Sequence, residues 1–177
     1  MHSAGMILTK AGYDILGSGM FADVWAKAGE STVLKLFNSD DLGYMSFLKL
    51  VMKHQSPHFP KFKGSFLKIN DEYLAVRMEK LSPIVGIEAV NVAEVIHGYL
   101  SLKIDRDLEA KLHGFEDPMD NEPGYKMMIE YNKKQPGLKD ACDYLADNVA
   151  ALDGGLDIHS ENIMSRNGVW VITDPIA

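Results

Sequence analysis

Hydrophobic and polar positions along the first eighty residues form short segments that are rich in β-branched or aromatic side chains. Glycine, asparagine, aspartate or serine separates these segments, a pattern that is typical of strands in a small antiparallel sheet. The predicted strands are Tyr13–Gly17, Ala22–Lys27, Ser31–Phe37, Phe62–Leu67 and Glu72–Met78. Between the third and fourth strands, apolar residues recur at the spacing of one helical face, which predicts an α-helix over Leu42–His54.

The hydrophobic period becomes helical after Leu81. The stretch 101–136 predicts one or two short helices and a loop around 117–124. The other predicted features are a hinge or turn at 82–83, apolar helical faces over 92–99 and 138–152, glycines at 154–155 that end the second helix, and a hairpin turned by Asn167-Gly168. The pattern therefore predicts an α+β protein whose strand-rich part covers residues 1–81 and whose mostly helical part covers residues 82–177.

The composition narrows the class of protein. The chain has 177 residues, 46% hydrophobic and 24% charged, which suits one compact domain or two small lobes around a cleft and excludes a disordered chain. With 18 basic and 25 acidic residues the net charge is −7, which argues against a nucleic-acid partner. No segment is apolar enough for a membrane span, and the single Cys142 excludes a disulfide framework. We therefore expect a cytoplasmic protein without a membrane partner.

A glycine-rich turn with Gly17, Ser18 and Gly19 connects the first two predicted strands. Glycines let backbone N–H groups approach an anion closely, so the turn is a candidate phosphate site, and an ordinary hairpin explains the same residues. Lys35 lies in the middle of an apolar strand, sixteen residues after Gly19. Because a buried lysine is costly unless it is paired, Lys35 either reaches solvent from an edge or has an anionic partner in a cleft.

The most specific pattern lies near the end of the sequence, where Asn162 follows Asp157 by five residues and Asp174 follows an apolar strand. Two oxygen ligands across a hairpin suit Mg²⁺ on a nucleotide, because this ion takes few protein ligands. The carboxylate that does not bind Mg²⁺ would orient a nucleophile. Asp157 and His159 are also compatible with a zinc pair, but no third ligand follows at zinc-site spacing. His159 itself is either a donor to a phosphate or carboxylate, or a structural residue.

Together, the glycine-rich turn, the strand lysine and the late Asp, Asn and Asp residues resemble the protein-kinase-like superfamily, over most of the chain and in the same order. The resemblance implies a two-lobed fold with the lobes at 1–81 and 82–177 and an ATP cleft between them. By this likeness, Lys35 would hold the α- and β-phosphates, and Asp157 would orient or deprotonate an acceptor hydroxyl. Asn162 and Asp174 would hold Mg²⁺.

The same resemblance assigns further residues to the cleft. The segment after Tyr73 is similar to the strand and hinge whose backbone meets adenine, with Met78 at the back of the site. The residues implied in nucleotide binding are Gly17, Ser18, Gly19, Val24, Lys35, Met78, Glu79 and Leu81, and those implied in catalysis are Asp157, Lys35 and His159.

The sequence also departs from the family pattern. Ala22 stands at the third glycine, and Thr-Asp174-Pro stands where a regulatory Asp-Phe-Gly switch would be. The spacing Asp-x-His-x-x-Asn is nearer to the aminoglycoside and choline kinase branch. Helix 42–54 has no acidic residue, so we expect Lys35 to pair with Asp40, Asp41 or Asp174. The chain ends three residues after Asp174, which indicates a truncated C-terminal lobe similar to the short kinase-like proteins of some tailed phages.

The leading functional hypothesis is therefore a minimal ATP- and Mg²⁺-dependent phosphotransferase. It would transfer the γ-phosphate to a hydroxyl of a protein, as a serine/threonine-type kinase does, of a small molecule, or of the enzyme itself. Two alternatives remain at this point: a pseudokinase-like protein that binds nucleotide and acts by docking on a partner protein, and an enzyme of the same fold that transfers a nucleotide.

Overall fold

The computed structural model describes residues 2–19, 22–114, 119–148 and 155–176 of the chain. Its larger sheet has five strands: β1 (Asp14–Ser18), β2 (Ala22–Ala26), β3 (Thr32–Asn38), β4 (Leu67–Lys68) and β5 (Tyr73–Glu79). All neighbours are antiparallel, as the sequence predicts, and their spatial order is β1-β2-β3-β5-β4. The fourth strand is shorter than predicted, because most of 62–67 lies outside the ladder and Phe62 makes only a single bridge to Met78.

The central strand β3 is buried along six of its seven residues. Lys35 pairs in register with Val24 on β2 and Val76 on β5, so the lysine lies in the middle of the sheet and not at an edge. Successive side chains on a strand point to opposite faces. Lys35 therefore shares a face with Val33 and Phe37.

Five α-helices are present in the described residues: α1 (His2–Lys10), α2 (Leu42–Lys53), α3 (Ile87–His113), α4 (Pro123–Lys134) and α5 (Leu138–Asp147). Helix α2 agrees with the predicted helix to within one residue. It begins after Asp41, whose carboxylate accepts a hydrogen bond of 2.9 Å from the backbone N–H of Tyr44. This N-cap satisfies one of the free donors of the first turn.

One helix was not predicted, and two of the helical predictions differ from the structure. Helix α1 was not predicted, because a nine-residue segment buries only Ala4 and Leu8 fully and offers too short a pattern. Helix α3 is a single helix of 27 residues where the sequence predicts shorter pieces from residue 101 onward. The predicted loop at 117–124 ends earlier, since α4 begins at Pro123, while residues 115–118 lie outside the described part. Helix α5 ends at Asp147 in the described part, and the predicted positions 149–154 lie outside the residues that the structure describes, so they stay a prediction.

A smaller antiparallel sheet contains β6 (Ser82–Pro83), β7 (Ile163–Arg166) and β8 (Val169–Ile172), in that order. The predicted hairpin is confirmed: Asn167 has φ 51° and Gly168 has φ 84°, as a two-residue type I′ turn requires. Ser82-Pro83 is not a free turn, because it pairs with β7. The segment after β5 is thereby attached to the hairpin that precedes Asp174.

The main hydrophobic core lies between the large sheet, α2, α3, α5 and the hairpin. It includes Phe37, Phe47, Ile96, Leu145 and Ile172, all of which are at most 2% exposed. A second, smaller cluster fills the other face of the sheet under α1, around Leu8, Trp25, Leu34 and Leu36. The α+β class is confirmed by the five-stranded antiparallel sheet, the small sheet and the five α-helices of the described residues. Within the described residues, no helix is both long and apolar enough to cross a membrane.

Candidate active site

A cleft of about 610 Å³ opens between the β1–β2 turn, the end of β5 and the segment that leads through Asp157 to Asp174. All twelve residues that the sequence analysis proposes for catalysis, nucleotide binding or metal binding line this cleft. Seven further lining residues were not predicted: Leu16, Ala22, Val33, Lys80, Glu161, Met164 and Thr173. One of these had a detectable signal, because Val33 stands two residues from Lys35 on the same strand, which is the period of one strand face.

The glycine-rich turn leaves space over the cleft. Strand β1 has a bulge between Ile15 and Gly17, and the Gly19 N–H donates a 2.8 Å hydrogen bond to the carbonyl of Ala22. Neither Gly17 nor Gly19 has a positive φ, and a Cβ on Gly17 would meet no atom within 4 Å. The glycines are therefore not needed for the backbone conformation seen here, and the space beside Gly17 is available to a ligand. Ala22 causes no strain, since Asn167 is the only non-glycine with positive φ in the described residues.

Ser18 is one of the residues assigned to nucleotide binding from the sequence, and its hydroxyl donates a short hydrogen bond to Asp23 Oδ1. Asp23 is only 5% exposed and lies on the opposite face of β2 from Val24, which lines the cleft. Ser18 thus lines the cleft while its hydroxyl is bound to a buried carboxylate.

Lys35 has its anionic partner in Asp174. The Lys35 Nζ atom lies 2.5 Å from Asp174 Oδ2, and the two side chains are 11% and 25% exposed. Of the three aspartates considered from the sequence, Asp174 is therefore the one that pairs with the lysine. The same ammonium also lies 3.9 Å from the centre of the Tyr44 ring on α2, a contact that the sequence analysis missed.

Asp174 retains an unused acceptor. Burial raises the pKa of its carboxyl group, an effect that the charge of Lys35 opposes. Its second oxygen, Oδ1, is buried and has no hydrogen-bond partner among the described residues. An orphaned carboxylate oxygen in a cleft that Asn162 also lines is compatible with a hard cation such as Mg²⁺, which prefers oxygen ligands and takes few from the protein. No cluster of three His, Cys, Asp or Glu side chains suited to a metal occurs in the described residues.

Backbone hydrogen bonds hold the Asp157–Asn162 loop against the strand end that carries Asp174. The Asp157 N–H donates to the Pro175 carbonyl at 2.7 Å, and the Thr173 N–H donates to the Asn162 carbonyl at 2.9 Å. The Asn162 amide nitrogen donates to the Asp157 carbonyl at 2.8 Å, which leaves the amide oxygen free to bind a ligand. The Asp157 side chain is 42% exposed and open to the cleft.

His159 lies at the rim of this loop and is 46% exposed. Its Nδ1 accepts a hydrogen bond from the Glu161 N–H and caps the short 3-10 turn Ser160–Asn162. Its Nε2 lies 2.9 Å from the Asn162 amide nitrogen and 3.5 Å from Asp157 Oδ2. The imidazole therefore holds the loop in shape, and a contact with a phosphate remains a prediction.

The end of β5 forms the back of the cleft. Met78 is 6% exposed there, while the Glu79 carboxylate is bound by Arg166 of β7 and by the Lys61 N–H. Glu79 therefore offers the cleft its backbone and not its side chain. The N–H groups of Glu79 and Lys80 donate to the carbonyls of Lys61 and Ser31. The Leu81 N–H has no partner in the part of the chain that the structure describes, so it is free to bind a ligand.

Comparisons with known proteins give structural neighbours only. No protein-family model matches the chain, and no curated protein matches it significantly. The crystal structure of Rad53 1–466 in complex with AMP-PNP is 16% identical, with a TM-score of 0.45 over 94% of this chain and 38% of that chain. Aminoglycoside phosphotransferase APH(4)-Ia is 12% identical, with a TM-score of 0.41 over 98% and 71%. The Cydia pomonella granulovirus kinase PK-1 is 15% identical, with a TM-score of 0.32 over 62% and 47%. At these identities and TM-scores the neighbours place the chain in no family.

Proposed function

We propose that this protein is an ATP- and Mg²⁺-dependent phosphotransferase that transfers the γ-phosphate of ATP to a hydroxyl group. One observation carries the proposal: Lys35, Asp157, Asn162 and Asp174 meet in a single cleft, although the lysine and its aspartate are 139 residues apart. Folding alone does not call for this arrangement, because burying an ammonium and a carboxylate costs desolvation energy and leaves Asp174 Oδ1 without a partner.

The metal ion would be held by Asp174 Oδ1 and the Asn162 amide oxygen. Mg²⁺ bound there would neutralise the negative charge of the phosphates and of the leaving group. Lys35 would bind the α- and β-phosphates. Mg²⁺ bound to the Asp174 carboxylate would weaken its ion pair with Lys35, so the ammonium could attract the phosphates more strongly. The turn at Gly17 and Gly19 would cover the phosphates with backbone N–H groups.

The adenine base would lie between Val24 and Met78 and accept a hydrogen bond from the free N–H of Leu81. Apolar side chains around a few fixed polar groups are typical of small-molecule sites. In this assignment the boundary between the proposed parts 1–81 and 82–177 passes directly beside the base.

The proposed transfer is a single displacement at phosphorus. The oxygen of the acceptor hydroxyl forms a bond to the γ-phosphorus while the bond between that phosphorus and the β,γ-bridging oxygen breaks, and ADP leaves. The proton of the hydroxyl passes to the carboxylate of Asp157, which is open to the cleft and held at its backbone by Pro175. A serine or threonine side chain, a small-molecule hydroxyl and a hydroxyl of this chain all satisfy this chemistry.

The direct test is to incubate the purified protein and Mg²⁺ with γ-labelled or α-labelled ATP in parallel. We expect γ-label on the protein, on an added acceptor or in released phosphate, and no transfer of α-label. The Asp157→Asn variant keeps the size of the side chain and should lose at least about 100-fold in rate, as expected when a proton acceptor is removed. The Asp71→Asn variant, at an exposed carboxylate far from the cleft, is the matched control.

The other outcomes separate the alternatives. Transfer of α-label would replace phosphoryl transfer by nucleotide transfer at the same site. A Mg²⁺-dependent rise in melting temperature with ATP, without transfer to any acceptor tried, would favour a nucleotide-binding protein that acts by docking. If neither transfer nor a change in melting temperature occurs, the proposed function is wrong.

A further inference from the structure

Helix α2 brings an aromatic side chain to the catalytic lysine where an acidic partner would be expected. The twelve residues of α2 include neither aspartate nor glutamate. Tyr44, in the first turn of the helix, lies with its ring centre 3.9 Å from Lys35 Nζ. The lysine therefore has two partners, the carboxylate of Asp174 and the face of this ring.

The position of the Tyr44 ring is fixed on several sides. Its backbone N–H is bound by the capping carboxylate of Asp41, and its ring packs edge-to-face on Phe37 at 5.0 Å. The side chain is 1% exposed, and its hydroxyl has no hydrogen-bond partner among the described residues. What Tyr44 offers Lys35 is therefore the face of its ring.

We propose that Tyr44 is the positioning residue of Lys35 and holds the ammonium by a cation–π contact in place of a helix carboxylate. This inference rests on the proposed function of the cleft. An ammonium over an aromatic face is attracted by the ring quadrupole, most strongly where both groups are removed from water. Lys35 and Tyr44 meet this condition, at 11% and 1% exposure.

A neutral partner has a specific consequence for nucleotide binding. A helix carboxylate would add a second negative charge beside Lys35, whereas an aromatic ring adds none beyond that of Asp174 and so leaves more of the lysine charge for phosphate oxygens. The ring also does not compete for Mg²⁺ when the cation binds Asp174. Burial and the nearby charge of Asp174 keep the pKa of the Tyr44 hydroxyl well above its usual value, so the ring stays neutral at any working pH.

The test compares the affinity for ADP with Mg²⁺, measured by calorimetry, in three single variants. Tyr44→Met removes the ring at nearly constant volume and should weaken binding about tenfold to thirtyfold, the range for a desolvated cation–π contact. Tyr44→Phe keeps the ring and should stay within about threefold of the wild type. Phe47→Leu is the matched control for packing, because Phe47 is also a fully buried aromatic residue of α2 and lies 6.2 Å from the Tyr44 ring between ring centres, but makes no cation–π contact with Lys35 in the described residues.

A double variant separates positioning from packing. If the ring acts through the lysine, Tyr44→Met in a Lys35→Met background should cause no further loss of affinity. Equal losses in Tyr44→Met and Phe47→Leu, or full additivity with Lys35→Met, would overturn the inference.

A second readout is independent of nucleotide binding and so distinguishes this inference from the proposed function. The ε-methylene protons of Lys35 should show an upfield ring-current shift by NMR in the wild type and Tyr44→Phe, and no such shift in Tyr44→Met. If the wild type binds no nucleotide, the proposed function fails while this shift still decides the position of the lysine. The absence of the shift in a folded wild-type protein would overturn the contact itself.

Discussion

The two oxygens of Asp174 have different surroundings, which leads to the first prediction at the scale of a residue. Oδ2 binds Lys35, and Oδ1 has no partner among the described residues. Asp174→Asn should abolish the Mg²⁺-dependent part of ADP binding, because the substitution removes the negatively charged ligand of the proposed metal site and leaves two neutral amides. It should also lower the free energy of unfolding by about 1–3 kcal/mol. The Lys35 ammonium would lose the negative charge of Asp174 and retain only its contact with the Tyr44 ring.

Calorimetric titration with and without Mg²⁺ and urea unfolding measure these two effects. Asp157→Asn is the comparison, because its side chain is exposed and should affect turnover more than binding. An unchanged Mg²⁺ dependence in Asp174→Asn would contradict the metal assignment.

Glu79 leads to a pH prediction. Burial alone would raise the pKa of its carboxyl group, but hydrogen bonds from Arg166 and the Lys61 N–H lower it below the ordinary value of 4.5. The folded state thus binds the proton less tightly than the unfolded state. The resulting stabilisation is fully present above pH 4.5 and is lost as the pH falls through the lowered pKa of the folded state.

Glu79→Gln should therefore lower the free energy of unfolding by about 1–3 kcal/mol near neutral pH, as hydrogen bonds to charged groups contribute. The difference from the wild type should shrink in acid, which urea unfolding over a pH series measures. Glu130→Gln is the control, because Glu130 forms an exposed pair with Lys133 and should matter little at any pH. A difference that stays constant with pH would mean that packing, and not charge, holds Glu79.

At this scale, sequence reasoning works where spacing is local. Asp157 and Asn162 are five residues apart, and both reach the cleft as predicted. The partner of Lys35 remained open among three aspartates, because the pair joins residues 139 positions apart and local spacing does not show which distant segments meet. The contact with Tyr44 was missed because a tyrosine in an apolar helical face is first interpreted as core.

Helix α3 shows how an element departs from its sequence pattern. Its buried residues lie between Ala89 and Leu100, and the second half is mostly half-exposed or exposed. The second half continues as a helix partly through charged contacts, such as those of Lys103 with Asp107 and with Asp147 of α5. Hydrophobic periodicity cannot detect such a segment, because its partners are polar.

A prediction at the scale of an element concerns Gly98 in the middle of α3. Glycine in a helix interior costs up to about 1 kcal/mol relative to alanine, and a Cβ at this position would meet no atom within 4 Å. Gly98→Ala should therefore raise the free energy of unfolding by about 0.5–1 kcal/mol in urea titrations. Gly168→Ala is the contrasting variant and should destabilise the hairpin, since its φ is 84°. Destabilisation by Gly98→Ala would indicate that α3 packs more closely there than the structure shows.

At the scale of the whole molecule, the hydrophobic core does not stop at residue 81. The main cluster joins Phe37 and Phe47 from the first part of the chain to Ile96, Leu145 and Ile172 from the second. The sequence indicated a boundary after Leu81, because the hydrophobic period changes there from that of strands to that of helices. Local periodicity carries no information about which faces pack together, so a continuous core was not foreseen.

This continuity predicts one cooperative unfolding transition. The two tryptophans report on different regions: Trp25 lies in the small cluster under α1, and Trp170 lies on β8 in the main core, at 8% and 7% exposure. The small cluster includes Leu34 and Leu36, whose strand neighbour Phe37 belongs to the main core, so loss of β3 should disrupt both clusters together. In urea, the Trp25→Phe and Trp170→Phe variants should each show a single fluorescence transition whose midpoint agrees with the loss of circular dichroism in that variant. A fluorescence midpoint that departs from the circular-dichroism midpoint in either variant would show that 1–81 and 82–177 unfold as separate units. The two parts would then be independently stable lobes on either side of the cleft. Nucleotide that binds both lobes should bring their two unfolding midpoints closer together.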